Sequence, residues 1–222
     1  MKIKTLDGRL SVCADFVRPG SRIADIGTDH GLLPVWLIRE GIAAHAIACD
    51  LREAPLSKAR LAVENAGLTD KIETRLSDGL ANILHFESDD IIIAGMGGEL
   101  IVSIIRAAEW LRHPRYRLIL QPMTNDEKLR DFLCGQGFEI SEERAAVVGK
   151  HVYTVMRCEY SGKISMPDAL FLLCGRLIHD GSPEAMAYLQ KKRQRLLTKA
   201  RGLERAGKAE QAAVFRRLAD EI

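Results

Sequence analysis

Arg22-Ile23-Ala24-Asp25-Ile26-Gly27-Thr28-Asp29-His30-Gly31 is the stretch on which the fold turns. Residues 22–26 read as a short apolar strand, Gly27 opens a tight turn, and residues 32–40 continue at helical spacing. The same rhythm recurs downstream. Further strands are expected at 45–49, 72–76, 89–94 and 117–121, separated by helices at 53–66, 98–110 and 126–135. Strands alternating with helices predict a parallel sheet covered on both faces, so the class is α/β, doubly wound and Rossmann-like. The rhythm then breaks: residues 137–148 and 151–160 follow one another across a turn, which predicts an antiparallel strand pair at the sheet edge.

Upstream, Leu6, Leu10, Cys13, Phe16 and Val17 fall at helical spacing and are stopped by Pro19-Gly20, giving a leading helix. Beyond Met166 the composition becomes that of a helical tail. Ser182-Pro183-Glu184 starts a helix running to about Ala206, and Gly207 separates it from a second at 209–221. The expected organisation is a catalytic domain over 1–163 and a C-terminal antiparallel helix pair over 164–222.

The chain has 222 residues, 47% of them hydrophobic, with 32 Lys+Arg against 30 Asp+Glu and a formal charge of +2. That balance excludes a protein coated in positive charge, so any nucleic-acid contact requires a local patch. The longest uncharged apolar run, IIIAGMGG at 91–98, is far short of the roughly 18–20 residues that span a bilayer. No secretory signal is visible in MKIKTLDGRLSV, so the chain is expected in the cytoplasm without a membrane partner. Cys13, Cys49, Cys134, Cys158 and Cys174 are odd in number and contain no CxxC pair, which fits reduced buried thiols better than disulfides or a metal site.

In open α/β sheets the ligand lies at the carboxyl ends of the strands, so the residues following each strand form a set. The first strand delivers Asp25, Gly27, Asp29 and His30; the second Asp50, placed for a ribose diol; the third Asp78 and Gly79; the fourth Gly95-Met96-Gly97-Gly98. A G-x-G-x-x-G fingerprint from Gly27 needs glycine at 29 and 32, where Asp29 and Leu32 stand, so a dinucleotide dehydrogenase fails on spacing. Carboxylates in these places repel a pyrophosphate but suit a ligand carrying a sulfonium and an ammonium, such as S-adenosylmethionine. Each Asp or Asp-Gly alone is ordinary turn chemistry; the set in strand order points to the cofactor. His30 reads equally as a cap or packing residue.

The strings Ala24-Asp25-Ile26-Gly27-Thr28-Asp29-His30-Gly31-Leu32-Leu33-Pro34, Ile93-Ala94-Gly95-Met96-Gly97-Gly98-Glu99-Leu100-Ile101 and Leu118-Ile119-Leu120-Gln121-Pro122 resemble the bacterial tRNA (adenine(22)-N1)-methyltransferase family. The leading helix with Leu6 and Arg9 and the helical tail extend the resemblance over nearly the whole chain. It implies a class I methyltransferase sheet with an added helical module. Carried over by position, it sets Arg9, Asp25, Gly27, Asp50, Asp78, Gly79, Gly95, Met96 and Gly97 around S-adenosylmethionine, and Asp29 with His30 beside the target base. Asp50 departs from relatives that carry Glu.

No [DN]-P-P-[YFW] tetrapeptide is present, which argues against an exocyclic amine as the methyl acceptor. Adenine N1 already has an in-plane lone pair, and a carboxylate such as Asp29 can stabilise the ring cation left by methylation. The alternative role for Asp29 is to bind the cofactor's ammonium. N1 is hidden in a paired helix, so the base must be unpaired or swung out, with Gly98, Gln121 and Pro122 as candidate pocket residues. Gln121-Pro122 reads nearly as well as a plain strand-end turn.

Between Ala187 and Lys208 lie eight basic residues and one acid, Glu204. Lys191, Lys192, Arg195 and Lys199 of this stripe are candidate contacts to tRNA phosphates; the competing reading is a solvated helix face. A methyltransferase acting on another RNA position or a small molecule, and a non-catalytic RNA-binding module, are the competing functions. Neither a metal nor an obligate protein partner is called for.

Overall fold

A computed structural model describes residues 5–222. The first four residues, which open the segment read as lacking a secretory signal, lie outside the described residues. The strands, numbered in chain order, are β1 (Ser21–Ile26), β2 (Ala43–Asp50), β3 (Ile72–Leu76), β4 (Asp90–Gly97), β5 (Arg117–Thr124), β6 (Phe138–Val148) and β7 (His151–Tyr160). The helices are α1 (Gly8–Asp15), α2 (Leu32–Arg39), α3 (Glu53–Ala66), α4 (Gly98–Ala107), α5 (Asp126–Gly135), α6 (Ala169–Cys174), α7 (Pro183–Arg205) and α8 (Ala209–Asp220).

All seven strands form one sheet in the order β3-β2-β1-β4-β5-β7-β6. β1 to β5 are parallel, and β7 runs antiparallel between β5 and β6. From β1 the chain moves outward to β2 and β3, then crosses back to β4 on the other side. That reversal opens a crevice above the carboxyl ends of β1 and β4, where an open α/β sheet binds its ligand.

The centre is held by Ile91, Ile92 and Ile93, each fully buried. Side chains alternate along a strand, so Ile91 and Ile93 pack with Ile101, Ile104 and Leu129 of α4 and α5, while Ile92 packs with Phe16, Leu33 and Leu37 on the opposite face. Each such side chain contributes about 1.5–3 kcal/mol when fully buried. All five cysteines are buried and unpaired. No helix among the described residues is long and apolar enough to cross a membrane.

The elements around the site depart from the sequence expectation at several points. β4 runs on to Gly97, past the expected end at 94, because the ladder with β5 continues across register shifts around Met96, with Gly95 at φ 76°. The expected helix over 98–110 stops at Ala107 and is followed by a 3₁₀ turn at Glu109–Leu111. α6 was not foreseen, because six residues of mostly apolar sequence are too few to display a helical period.

The tail docks through α7. Ser182 Oγ accepts the Ala185 N–H at 3.2 Å and Pro183 occupies the first turn, as the Ser-Pro-Glu signal predicts. Ala185, Tyr188 and Leu189 pack on Ala145 and Val152 of the β6–β7 hairpin. Beneath them is a buried polar network. Arg130 of α5 has no exposed surface and donates to Glu143 Oε1 at 2.6 Å, Asp126 Oδ2 at 3.2 Å, Tyr188 Oη at 2.9 Å and Leu172 O at 2.7 Å. Glu143 Oε1 also accepts the Thr154 hydroxyl at 2.6 Å, and its Oε2 accepts the Arg176 N–H at 3.0 Å. A side chain at Gly175 (φ 59°) would collide with Glu143 and Arg130, so only glycine fits.

Candidate functional site

A cleft of about 920 Å³ opens at the switch point, large for a small-molecule site, where roughly 300–1,000 Å³ is usual. Into it the strand ends bring Asp25, Gly27, Asp50, Asp78, Gly79, Gly95 and Met96, with Asp29 and His30 in the same lining. Arg9 of α1 closes one side.

Asp25 lies at the end of β1, hydrogen-bonded in register between Ala48 and Ile92. Burial pushes its carboxyl up to about 6; the negative charge of Asp50 adds to that, and the nearby Thr28 hydroxyl pulls the other way. Thr28 Oγ1 itself is buried without a hydrogen bond of ordinary geometry. Asp50 Oδ1 accepts the Arg52 N–H at 2.9 Å, which fixes the carboxylate at the mouth of the β2–α3 turn. Ser77 Oγ donates to Gly79 O at 2.9 Å and holds the turn carrying Asp78.

Two glycines here are required. Gly27 has φ 76°, and a Cβ on it would collide with the Met96 methyl. Gly79 has φ 55°, and its Cβ would press on Ile104 at 3.0 Å. Asp29 takes a positive φ of 50°, a conformation that Asp and Asn tolerate best among non-glycine residues. Its side chain is 68% exposed, and His30 Nε2 lies 3.5 Å from Asp29 Oδ2.

Gln121 is corrected. Far from facing a substrate, it is fully buried, and its Oε1 accepts from Arg9 Nη1 at 3.1 Å and from the Gly95 N–H at 3.0 Å. Its Nε2 donates to Pro122 O at 2.9 Å. Gln121 therefore ties α1, the β4 bulge and β5 together behind the cleft wall. Pro122 is buried on a second, smaller cleft.

Gly98 is corrected as well, and Gly97 stands one residue beyond the lining of the main cleft, next to Met96. Gly97 lies against the Thr124 hydroxyl. Gly98 is buried, and its Cβ would fall on the Asn125 and Thr124 carbonyl oxygens, the latter at 2.8 Å. Its glycine requirement comes from the β5–α5 turn and not from an approaching base. Gly98→Ala is expected to cost about 1–3 kcal/mol by overpacking against backbone. Thermal unfolding measures it, and a midpoint equal to the parent's would show that the turn gives way freely.

On the tail, Lys192 is corrected. It is 4% exposed, and its ammonium donates to Asp126 Oδ1 at 2.9 Å and Glu127 Oε1 at 2.5 Å. It is a docking residue. Lys191 is half-buried and donates to Val152 O at 3.1 Å, while Arg195 and Lys199 are exposed, Lys199 with its ammonium 4.2 Å from the Phe215 ring centre.

Residues that sequence reasoning passed over also shape the site. Asp7 caps α1 by accepting the Leu10 N–H at 3.0 Å and holds Arg9 Nη2 at 2.9 Å. An Asp one residue before a helical run was a readable cap signal. Trp36, Arg39 and Lys58 extend the lining between α2 and α3, where nothing in local sequence marked them. Among the described residues no group of three or more His, Cys, Asp or Glu is gathered to hold a metal ion.

Comparison with known proteins adds three findings. The family model described as methyltransferase domain matches residues 6–156. The tRNA (adenine(22)-N(1))-methyltransferase of Bacillus subtilis strain 168 is 34% identical over 173 residues, covering 78% of this chain and 73% of the relative. Among solved structures, the B. subtilis tRNA methyltransferase TrmK superposes with a TM-score of 0.88 at 28% identity over 99% of both chains. M. capricolum TrmK, solved with S-adenosyl-homocysteine, gives a TM-score of 0.80 at 25% identity over 99% of this chain and 100% of the other.

Proposed function

The chain belongs to the methyltransferase-domain family and, within it, to the tRNA (adenine(22)-N1)-methyltransferases, and on that premise we propose that it methylates N1 of adenine 22 in tRNA using S-adenosylmethionine. The observation that carries this reading is the gathering of Asp25, Asp50 and Asp78 with the Gly27 and Gly95 backbone in one cleft. A buried, unneutralised carboxylate at Asp25 asks for a cationic ligand, which a pyrophosphate-bearing dinucleotide does not offer.

In this proposal Asp25, Gly27, Asp78, Gly79, Gly95, Met96 and Arg9 surround the cofactor, and Asp50 takes its ribose hydroxyls. When bound, S-adenosylmethionine supplies an electrophilic methyl group. Asp29, at the exposed edge of the same cleft, accepts a hydrogen bond from the adenine amino group, raises electron density at N1 and offsets the positive charge that methylation leaves on the ring. His30, beside it, orients that carboxylate. No proton has to leave N1 before attack, so the chain's task is alignment and charge stabilisation. Residues 1–163 serve as the catalytic domain and 164–222 as the helical module that faces tRNA.

Labelled methyl transfer to unmodified tRNA, followed by nucleoside mapping, tests the proposal. Label is expected in 1-methyladenosine at position 22 and absent from a tRNA with another base there. Absence of label from every tRNA would overturn it.

The pH dependence is a second test. A cationic ligand draws Asp25 toward its ionised form, so binding competes with the proton. Cofactor affinity measured by calorimetry is expected to be level above about pH 7 and to weaken toward tenfold per pH unit below about 6. Asp25→Asn should flatten that profile; a wild-type profile already flat from about pH 5 to 8 would remove Asp25 from the cofactor site. In the ligand-free protein the raised pKa acts in the opposite sense. Its stabilising contribution is full below the ordinary carboxylate value of 3.8 and is lost as pH rises through about 6.

A further inference from the structure

A second cleft, of about 400 Å³, lies between the β5–α5 turn, β7 and α7. Its wall is shared with the catalytic cleft: the Arg9 guanidinium, which lines the first, sits 5.7 Å from the centre of the Tyr153 ring, which lines the second. Gly98, the first residue of α4, packs directly on Thr124 and Asn125, which belong to the second lining.

The charge in this cleft is unbalanced. Asp126 and Glu127 face it, but Lys192 engages both, and Arg130 neutralises Asp126 from below. Lys191 and Arg195, four residues apart and so on one face of α7, are left over. Lys191 donates only to the neutral carbonyl of Val152, and Arg195 makes no ion pair among the described residues. Burial, followed by the charges of Arg195 and Lys192, pulls the Lys191 ammonium below its ordinary pKa, the mark of cations placed together without an anion.

We propose that this cleft seats a phosphodiester of the tRNA backbone immediately flanking the target adenosine, held by Lys191 and Arg195. The inference rests on the tRNA reading above and adds to it a defined seat, where a general basic stripe would contact phosphates anywhere along the helix. A phosphate there fixes the strand's register while the neighbouring base enters the catalytic cleft, because backbone contacts position and do not read sequence.

The test uses the full-length protein and unmodified tRNA. The Lys191→Gln/Arg195→Gln double variant is expected to raise KM for tRNA about tenfold and to lower the slope of log affinity against log salt by roughly 0.7–0.9, the share of one phosphate contact. Because Lys191 also bonds Val152, Arg195→Gln alone, on an exposed side chain, is measured beside it with thermal midpoints. The seat is then located by tRNAs bearing a neutral methylphosphonate at either linkage flanking adenine 22. One of these should weaken wild-type binding about as much as the double variant does and have no added effect on that variant. Equal sensitivity of wild type and variant to both substitutions, or an unaltered salt slope, would overturn the seat while tRNA methylation persists. A wild type that neither binds nor methylates tRNA would overturn seat and function together.

Discussion

Asp29→Asn is expected to reduce methyl transfer to tRNA by about 10²–10³-fold, the range seen when one group that stabilises transition-state charge is removed. The substitution is clean. Asn accepts the φ of 50° that Asp29 holds, so the turn keeps its shape while the charge is lost. The side chain is well exposed, so no buried partner is stranded. Single-turnover kinetics with saturating cofactor measure the rate, and calorimetry measures S-adenosylmethionine affinity, which should change little. An affinity loss as large as the rate loss would move Asp29 to the cofactor's ammonium and leave the ring cation without a protein carboxylate.

The second large effect is on stability. Arg130→Met leaves Asp126 and Glu143 facing a buried space without their shared cation, and breaking such a pair from one side costs about 3–5 kcal/mol. Denaturant unfolding measures it; a loss below about 1 kcal/mol would mean that water reaches the network in solution. Arg130→Lys should recover only part, because one ammonium cannot span Glu143, Asp126, Tyr188 and Leu172 O as the guanidinium fork does. Acid probes the same network. Burial alone would raise the Asp126 carboxyl, but Arg130 and Lys192 hold it well below the carboxylate range. Its contribution is therefore present above about pH 4 and lost as pH falls toward that depressed value.

Much of the fold was legible because it depends on short-range period. The strand ends that the alternation located are the ends that meet in one cleft, and Asp25, Asp50 and Asp78 reach it from three separate strands. What was illegible depended on distance. Lys191 and Lys192 are neighbours in sequence but about 100° apart around a helix, so a run of basic residues cannot all face solvent. Lys192 turns inward because Asp126 and Glu127 wait there, 66 and 65 residues upstream. Gln121 was misplaced for the same reason: its partner Arg9 lies 112 residues away, on a helix whose position no local pattern announces. Gly98 read as an opening for a base because glycine permits close approach; sequence could not say that the approaching group is the chain's own Asn125 carbonyl.

The way α7 is rooted has a mechanical consequence. Its first three turns or so are clamped to the β6–β7 hairpin at Tyr188 and to α5 at Lys192, whereas Leu196 and Ala200 lie in the stretch braced by α8, whose Ala219 carbonyl accepts from Arg193 at 3.0 Å. The remaining 13 residues, from Arg193 to Arg205, make a cantilever of about 20 Å at 1.5 Å per residue. Load placed on its free end by a bulky polyanion is returned as torque at the root. The root is Asp126, one residue from the Asn125 carbonyl on which Gly98 rests, so torque at the root bears on the β5–α5 turn and on the backbone packed against it.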